Sequence, residues 1–272
     1  MKISLALGGG AGLGWAHIGV IRAFEASPIE IVAIAGTSIG AIAGAGYAAG
    51  KLDYLEELAL SANMRSILRF LDPHLGRGAM MGGRAIEKRL EEQFGSLNFA
   101  DLAIPVATVA ADLISGDTVV LSEGRVVPAV RASMSLPGIF KPVAHEGRML
   151  VDGGAALPIP VAPARALAPD ALCVSVNLQD DFVNRAIMAG ISRADGKHPN
   201  SLAVARASLG LSLRNLGRYS LMLDPPDFAL SPRVGHIDMQ NFTRAAELIA
   251  IGRSAAEAII PEIMARTESP AA

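Results

Sequence analysis

The chain opens with a strand, a glycine turn, a helix and a second strand, and that order restricts the fold more than any other feature of the sequence. Ile3 to Leu7 is a short apolar run that stops at Gly8-Gly9-Gly10. The helix-like stretch Trp15 to Ala26 follows, and Ile29 to Ala35 is a second β-branched run ending at Gly36. A βαβ unit of this kind crosses over right-handedly, so its two strands run parallel and both glycine turns fall on one rim of the sheet. Parallel sheets carry helices on both faces. The composition suits that arrangement, because 51% of residues are hydrophobic and only 4% aromatic. The expected core is therefore aliphatic, with much alanine packed between sheet and helices. At 272 residues, a single α/β domain over 1–272 is the natural expectation.

Further along, residues 39 to 49 are dominated by small side chains that permit close helix burial. Leu52 to Leu71 reads as amphipathic helix up to the break at Pro73. Gly76 to Gly83, with Met80 and Met81 inside it, reads as a loop before a helix over Arg84 to Phe94. Pro105 to Ala111 and Thr118 to Leu121 read as strands on either side of the Ser115-Gly116-Asp117 turn. Val143 to His145 and Met149 to Val151 flank Glu146-Gly147 as a hairpin that delivers Asp152-Gly153-Gly154 at its end. Ala171 to Val176 is a late buried strand, residues 183–200 read as a flexible excursion, and 201–222 and 240–265 as closing helices.

A net charge of −2 with no long basic run gives no support to a nucleic-acid partner. The single cysteine, Cys173, sits in the apolar run Ala171 to Val176 and is expected to fill core space. Met1 to Leu7 reaches glycine too early for a signal-peptide core, and no apolar stretch is long enough to span a bilayer. The expectation is a cytoplasmic chain whose membrane contact, if any, is peripheral.

Gly36-Thr37-Ser38-Ile39-Gly40 is Gly-x-Ser-x-Gly between a strand and a small-residue helix, the setting of a nucleophile elbow. The plainer alternative is an ordinary βα turn whose serine caps the helix. Acyl transfer also needs backbone N–H groups aimed at an oxyanion, and Gly8 to Ala11 can supply them. That loop fits no register of the dinucleotide fingerprint Gly-x-Gly-x-x-Gly. From Gly8, Gly9, Gly10 or Gly12 the pattern meets Leu13, Ala11, Trp15 or His17. A P-loop fails as well, since Gly50-Lys51 is followed by Leu52. Of the five histidines, His17 lies on the first helix, where packing or hydrogen bonding is expected, and His74, His145, His198 and His236 lie in loops or at turn edges. None is set as a catalytic base. Asp152 is the better candidate, at a strand end before two glycines, where partial burial would raise its pKa toward neutrality.

Together these stretches resemble the patatin-like phospholipase family, in particular its compact bacterial members. The resemblance rests on LALGGGAGLGWAHIGV at Leu5 to Val20, GTSIG at Gly36 to Gly40, ASMSLPGIFKPV at Ala132 to Val143 and VDGG at Val151 to Gly154. It implies a three-layer sandwich with a central, mostly parallel sheet flanked by helices. It further implies a serine acyl hydrolase acting on lipid esters through a Ser38-Asp152 dyad and an acyl-enzyme, with no metal or other cofactor. By the same resemblance, Gly9, Gly10 and Ala11 form the oxyanion hole, and Gly36, Gly40 and Gly153 support the two motifs. Two positions depart from the family pattern: Leu13 stands where Arg or Lys is usual, and Ala11 where glycine is frequent. Backbone donors survive both changes. The missing cation keeps open a second reading, a catalytically weak lipid-binding or regulatory protein of the same fold. It also leads to the expectation that Leu13→Arg would raise activity or shift preference toward anionic lipids.

Leu136, Pro137 and Phe140, with Ser133, Met134 and Ile139, are candidates for an acyl pocket. A lipid hydrolase must draw its substrate from an aggregate. Leu202 to Met222 and the Met80-Met81 loop are therefore expected to flank the entrance and engage lipid surfaces, through Leu209, Leu213, Leu216 and Met222 beside Arg206, Arg214 and Arg218.

Overall fold

The computed structural model describes residues 1–63, 73–76, 79–81, 83–191 and 199–266, the two short stretches as backbone strands. Strand β1 (Lys2–Leu7), helix α1 (Trp15–Glu25) and strand β2 (Glu30–Thr37) form the opening unit, and β1 and β2 pair in parallel. Helices α2 (Ile39–Ala48) and α3 (Leu52–Leu60) follow. The amphipathic stretch expected to reach Leu71 thus ends its helix at Leu60, and 64–72 lie outside the described residues. Strands β3 (Pro73–Gly76) and β4 (Ala79–Met81) pair antiparallel, so the Met80-Met81 stretch expected as a loop carries strand backbone. Its side chains lie outside the described residues.

After α4 (Arg84–Phe94) come β5 (Val106–Asp112), β6 (Thr118–Leu121), α5 (Val126–Ser133), and the hairpin β7 (Val143–His145) and β8 (Arg148–Asp152). Helix α6 (Val161–Leu167) and strand β9 (Leu172–Val176) lead to α7 (Phe182–Met188) and α8 (Ser201–Leu223). Strand β10 (Phe228–Leu230) and α9 (Ala245–Arg266) close the chain. The stretch expected as an excursion therefore begins as helix α7, and 192–198 lie outside the described residues.

The main sheet has eight strands in the order β10-β9-β1-β2-β5-β8-β7, with β6 on the other edge of β5. Its β10-β9-β1-β2-β5 portion is parallel, and β6, β7 and β8 are antiparallel additions. Alternation along the strands divides the core. Ile3, Leu5, Leu7 and Ile34 face a layer built from α1, α3 and α9, whereas Ala6, Ala35, Ala107 and Cys173 face α6. The strand residues on the α6 face are small, and they let α6 approach closely. The result is the expected three-layer α/β sandwich, helices on both faces of a mostly parallel sheet.

Candidate active site

The register on β5 explains how two residues 114 apart in sequence meet. Strand β2 runs parallel to β5 and ends with Thr37 opposite Val109, while β8 runs antiparallel and ends with Asp152 opposite Ala110. Both pair along the same edge of β5, because β6 occupies the other. The two strands therefore end head to head, one bringing Ser38 and the other Asp152 to the same gap.

Ser38 stands in the sharp turn between β2 and α2 at φ 58°, ψ −122°. That is a strained backbone for a residue with a side chain, and such strain is characteristic of functional sites. The turn closes only because its flanks are bare. A Cβ on Gly36 would lie 2.4 Å from the Gly40 carbonyl carbon, and one on Gly40 would lie 2.2 Å from the Leu7 carbonyl oxygen. The Ser38 hydroxyl donates to Asp152 Oδ2 at 2.5 Å, and both residues are buried. Asp152 Oδ1 accepts from the Gly154 N–H at 2.7 Å, and the Asp152 N–H donates to the Ser135 carbonyl at 2.9 Å. Gly153 allows the chain to turn away here, since a Cβ would lie 2.3 Å from the Val109 carbonyl oxygen. Burial pushes the Asp152 carboxyl up from 3.8 to about 6, against the opposing pull of the hydrogen bonds from Ser38 and Gly154. A carboxylate so placed accepts a proton readily and gives it back near neutrality.

The glycine loop lies directly beside the serine: a Cβ on Gly9 would be 3.5 Å from Ser38 Cβ. Three of its N–H groups are committed to fixing the loop. Gly8 donates to the Val176 carbonyl at 3.0 Å, Gly9 to Pro158 at 3.1 Å and Gly12 to Met239 at 2.8 Å. Of the three residues expected to supply oxyanion donors, Gly9 has its N–H bonded to the Pro158 carbonyl, while the Gly10 and Ala11 N–H groups are unpartnered among the described residues. Ala11 sits at φ 48°, left-handed backbone that explains why glycine suits this position. The Ile39 N–H, at the start of α2 immediately after the serine, is a further unpartnered donor among the described residues.

Supporting contacts surround this centre. The Ser133 hydroxyl accepts from the Ser38 N–H at 2.9 Å and donates to the Val109 carbonyl at 2.6 Å. Ser133, grouped in sequence with the acyl-pocket candidates, is buried, and it ties the elbow to β5. Leu136 and Phe140 are half-buried and Pro137 is exposed, all on the turn after α5. His17 is buried, and its Nε2 lies 2.8 Å from the Gly8 carbonyl, an acceptor only, so Nε2 carries the proton and donates. Burial lowers its pKa to about 4. It is a neutral prop for the loop, not a base for Ser38. His236 pairs with Glu247 at 2.9 Å, His145 lies 4.0 Å from Glu146, and the side chains of His74 and His198 lie outside the described residues. Arg185, which no sequence signal singled out, donates to the Leu178 carbonyl at 2.9 Å and contacts Met239 Sδ. Leu178 packs where a Gly10 Cβ would go and the Met239 carbonyl receives Gly12, so this buried cation braces the loop from behind. Leu13 is fully buried in the main core.

A buried serine in a strained strand-to-helix elbow, bonded to a carboxyl beside a loop of free backbone donors, has the groups that nucleophilic acyl transfer requires. A family model described as Patatin-like phospholipase matches residues 5–165, and the chain belongs to that family. An uncharacterized NTE family protein of Mycobacterium tuberculosis is 39% identical over 177 residues, covering 65% of this chain and 49% of the relative. A protein of Pyricularia oryzae named lysophospholipase NTE1 is 29% identical over 268 residues, covering 92% of this chain and 18% of that protein. The chain thus spans about half, or less, of the length of these curated relatives. Among solved structures, VipD from Legionella pneumophila superposes with a TM-score of 0.54 at 14% identity, covering 96% of this chain and 67% of that one. This likeness concerns the fold alone.

Proposed function

We propose that the chain hydrolyses carboxylic esters of lipids, phospholipid or lysophospholipid in class, through a Ser38-Asp152 dyad. The observation that carries this reading is the 2.5 Å hydrogen bond from the Ser38 hydroxyl to a buried carboxyl whose pKa is raised to about 6. Ser38 Oγ attacks the ester carbonyl carbon as its proton passes to Asp152 Oδ2. The oxyanion is received by the Gly10 and Ala11 N–H groups. The tetrahedral adduct then expels the alcohol, which takes the proton from Asp152, and leaves an acyl-serine. Water attacks that acyl group, delivers its proton to Asp152, and the adduct collapses to the free carboxylic acid as the proton returns to Ser38. A relative's name, lysophospholipase, supports placing lysophospholipids among the first substrates to try.

The test is turnover on diacyl phospholipids, lysophospholipids, triacylglycerols and short-chain nitrophenyl esters, with Ser38→Ala as control. Fatty acid release by the wild type and its loss in Ser38→Ala is the expected result. No ester cleaved, or equal turnover by both proteins, contradicts the reading.

A further inference from the structure

Helix α8 is turned the wrong way round for an ordinary surface helix. Such a helix puts its large apolar residues inward. Here the buried positions are Ala203, Gly210, Gly217 and Ser220, a stripe of small residues at steps of 7, 7 and 3. The face away from them carries Val204, Leu211, Arg218 and Met222, spaced 7, 7 and 4 apart and therefore along one side of the helix. Leu211 is 42% exposed, Met222 72% and the adjoining Leu223 87%. Val183, Ile187 and Met188 of α7 are also exposed, and α7 packs on α8. Large side chains pointing at water on two adjoining helices are not explained by the domain's own core.

The charge on this surface is of one sign. Over Ser201–Leu223 the sequence has three arginines and no acidic residue. Arg218 is exposed in the outer row, Arg206 is exposed on the side of Ala203 and Gly210, and Arg214 is turned back over the Phe182 ring and toward Asp180. The helix also sits next to the site. Gly217 packs against Ile159 and Asn177, and the Ser220 hydroxyl donates to the Ile159 carbonyl at 3.1 Å. The neighbouring Pro158 carbonyl holds the Gly9 N–H of the oxyanion loop. The inner side of α8 therefore rests on the 158–159 segment that holds the glycine loop, and the exposed face lies one helix width further out.

We infer that the outer face of α8, extended by α7, is a docking surface for an anionic lipid bilayer, on which apolar side chains enter the headgroup region while Arg218 meets lipid phosphates. The inference rests on the reading of the chain as a lipid hydrolase for its purpose, but binding is measured apart from catalysis. Vesicles of phosphatidylcholine alone and with phosphatidylglycerol are sedimented with Ser38→Ala protein, and the same surface variants in active protein are assayed on a soluble nitrophenyl ester. Binding should be stronger to the anionic vesicles. Arg218→Gln should weaken partition about five-fold, and Arg206→Gln, on the other side of the helix, by less. Leu211→Gln/Met222→Gln/Leu223→Gln should abolish it, while soluble-ester turnover stays unchanged. Equal binding by wild type and variants, no preference for anionic vesicles, or light scattering showing a dimer that buries α8 overturns the inference.

Discussion

Replacing Asp152 by asparagine separates the chemistry of the site from the strain of holding it. The carboxyl is 2% exposed and its pKa is raised from 3.8 to about 6. Because the folded value lies above the unfolded one, the protonated form favours the native state, and the penalty for ionisation develops as pH rises from about 4 to 6. Above that window it amounts to ~3 kcal/mol. Asparagine keeps an oxygen to accept from the Gly154 N–H and carries no charge. After allowance for its weaker neutral hydrogen bonds, the variant should be about 1–3 kcal/mol more stable than wild type at pH 8. For a chain of 272 residues that corresponds to a rise in Tm of about 2–5 °C. At pH 4 the difference should nearly vanish. Esterase turnover should meanwhile fall by about 10³-fold or more, since no base remains for Ser38. Paired thermal unfolding at the two pH values and nitrophenyl ester turnover measure both effects. Equal stability at both values, or a variant less stable at pH 8 than at pH 4 relative to wild type, would refute the burial argument. Retained turnover would refute the role given to Asp152.

The proton-accepting role also sets the pH profile: kcat/KM should fall about ten-fold per pH unit below about 6, as Asp152 becomes protonated, and a flat profile between pH 4.5 and 7 would exclude it. Ser133→Ala leaves the Ser38 N–H without its 2.9 Å acceptor. Its kcat should drop about ten- to a hundred-fold with KM little changed, whereas unaltered kcat would remove Ser133 from the elbow's support. Leu13→Arg should lower Tm by several degrees and not raise activity, because Leu13 is fully buried in the main core and an arginine there would bury an unpaired charge. Increased turnover with unchanged Tm would contradict that packing.

The opening βαβ unit, the glycine loop and the two site turns were legible because each is local: an apolar run, a bare turn, a small-residue helix. Asp152 was legible for the same reason, as the end of a short hairpin. What the sequence does not carry is the pairing between distant strands. Only the register of β5, with Thr37 opposite Val109 and Asp152 opposite Ala110, reveals that β2 and β8 end against one another. The assignment of the Gly9 N–H to Pro158 and of Ser133 to the Ser38 backbone depends on contacts spanning many residues, so composition and spacing could not single them out. Helix α8 shows a different limit. Its leucine pattern reads equally as a core face or a surface face, and only the burial of Ala203, Gly210 and Gly217 decides which side is turned inward.

Intact-mass analysis after exposure to a fluorophosphonate tests the central claim most directly, since that reagent phosphonylates only a serine made nucleophilic by a neighbouring base and an oxyanion hole. Wild-type protein should gain one adduct, mapped by peptide sequencing to Ser38, with labelling abolished in Ser38→Ala and slowed by orders of magnitude in Asp152→Asn. An adduct on another serine, or labelling of Asp152→Asn at the wild-type rate, would contradict the account.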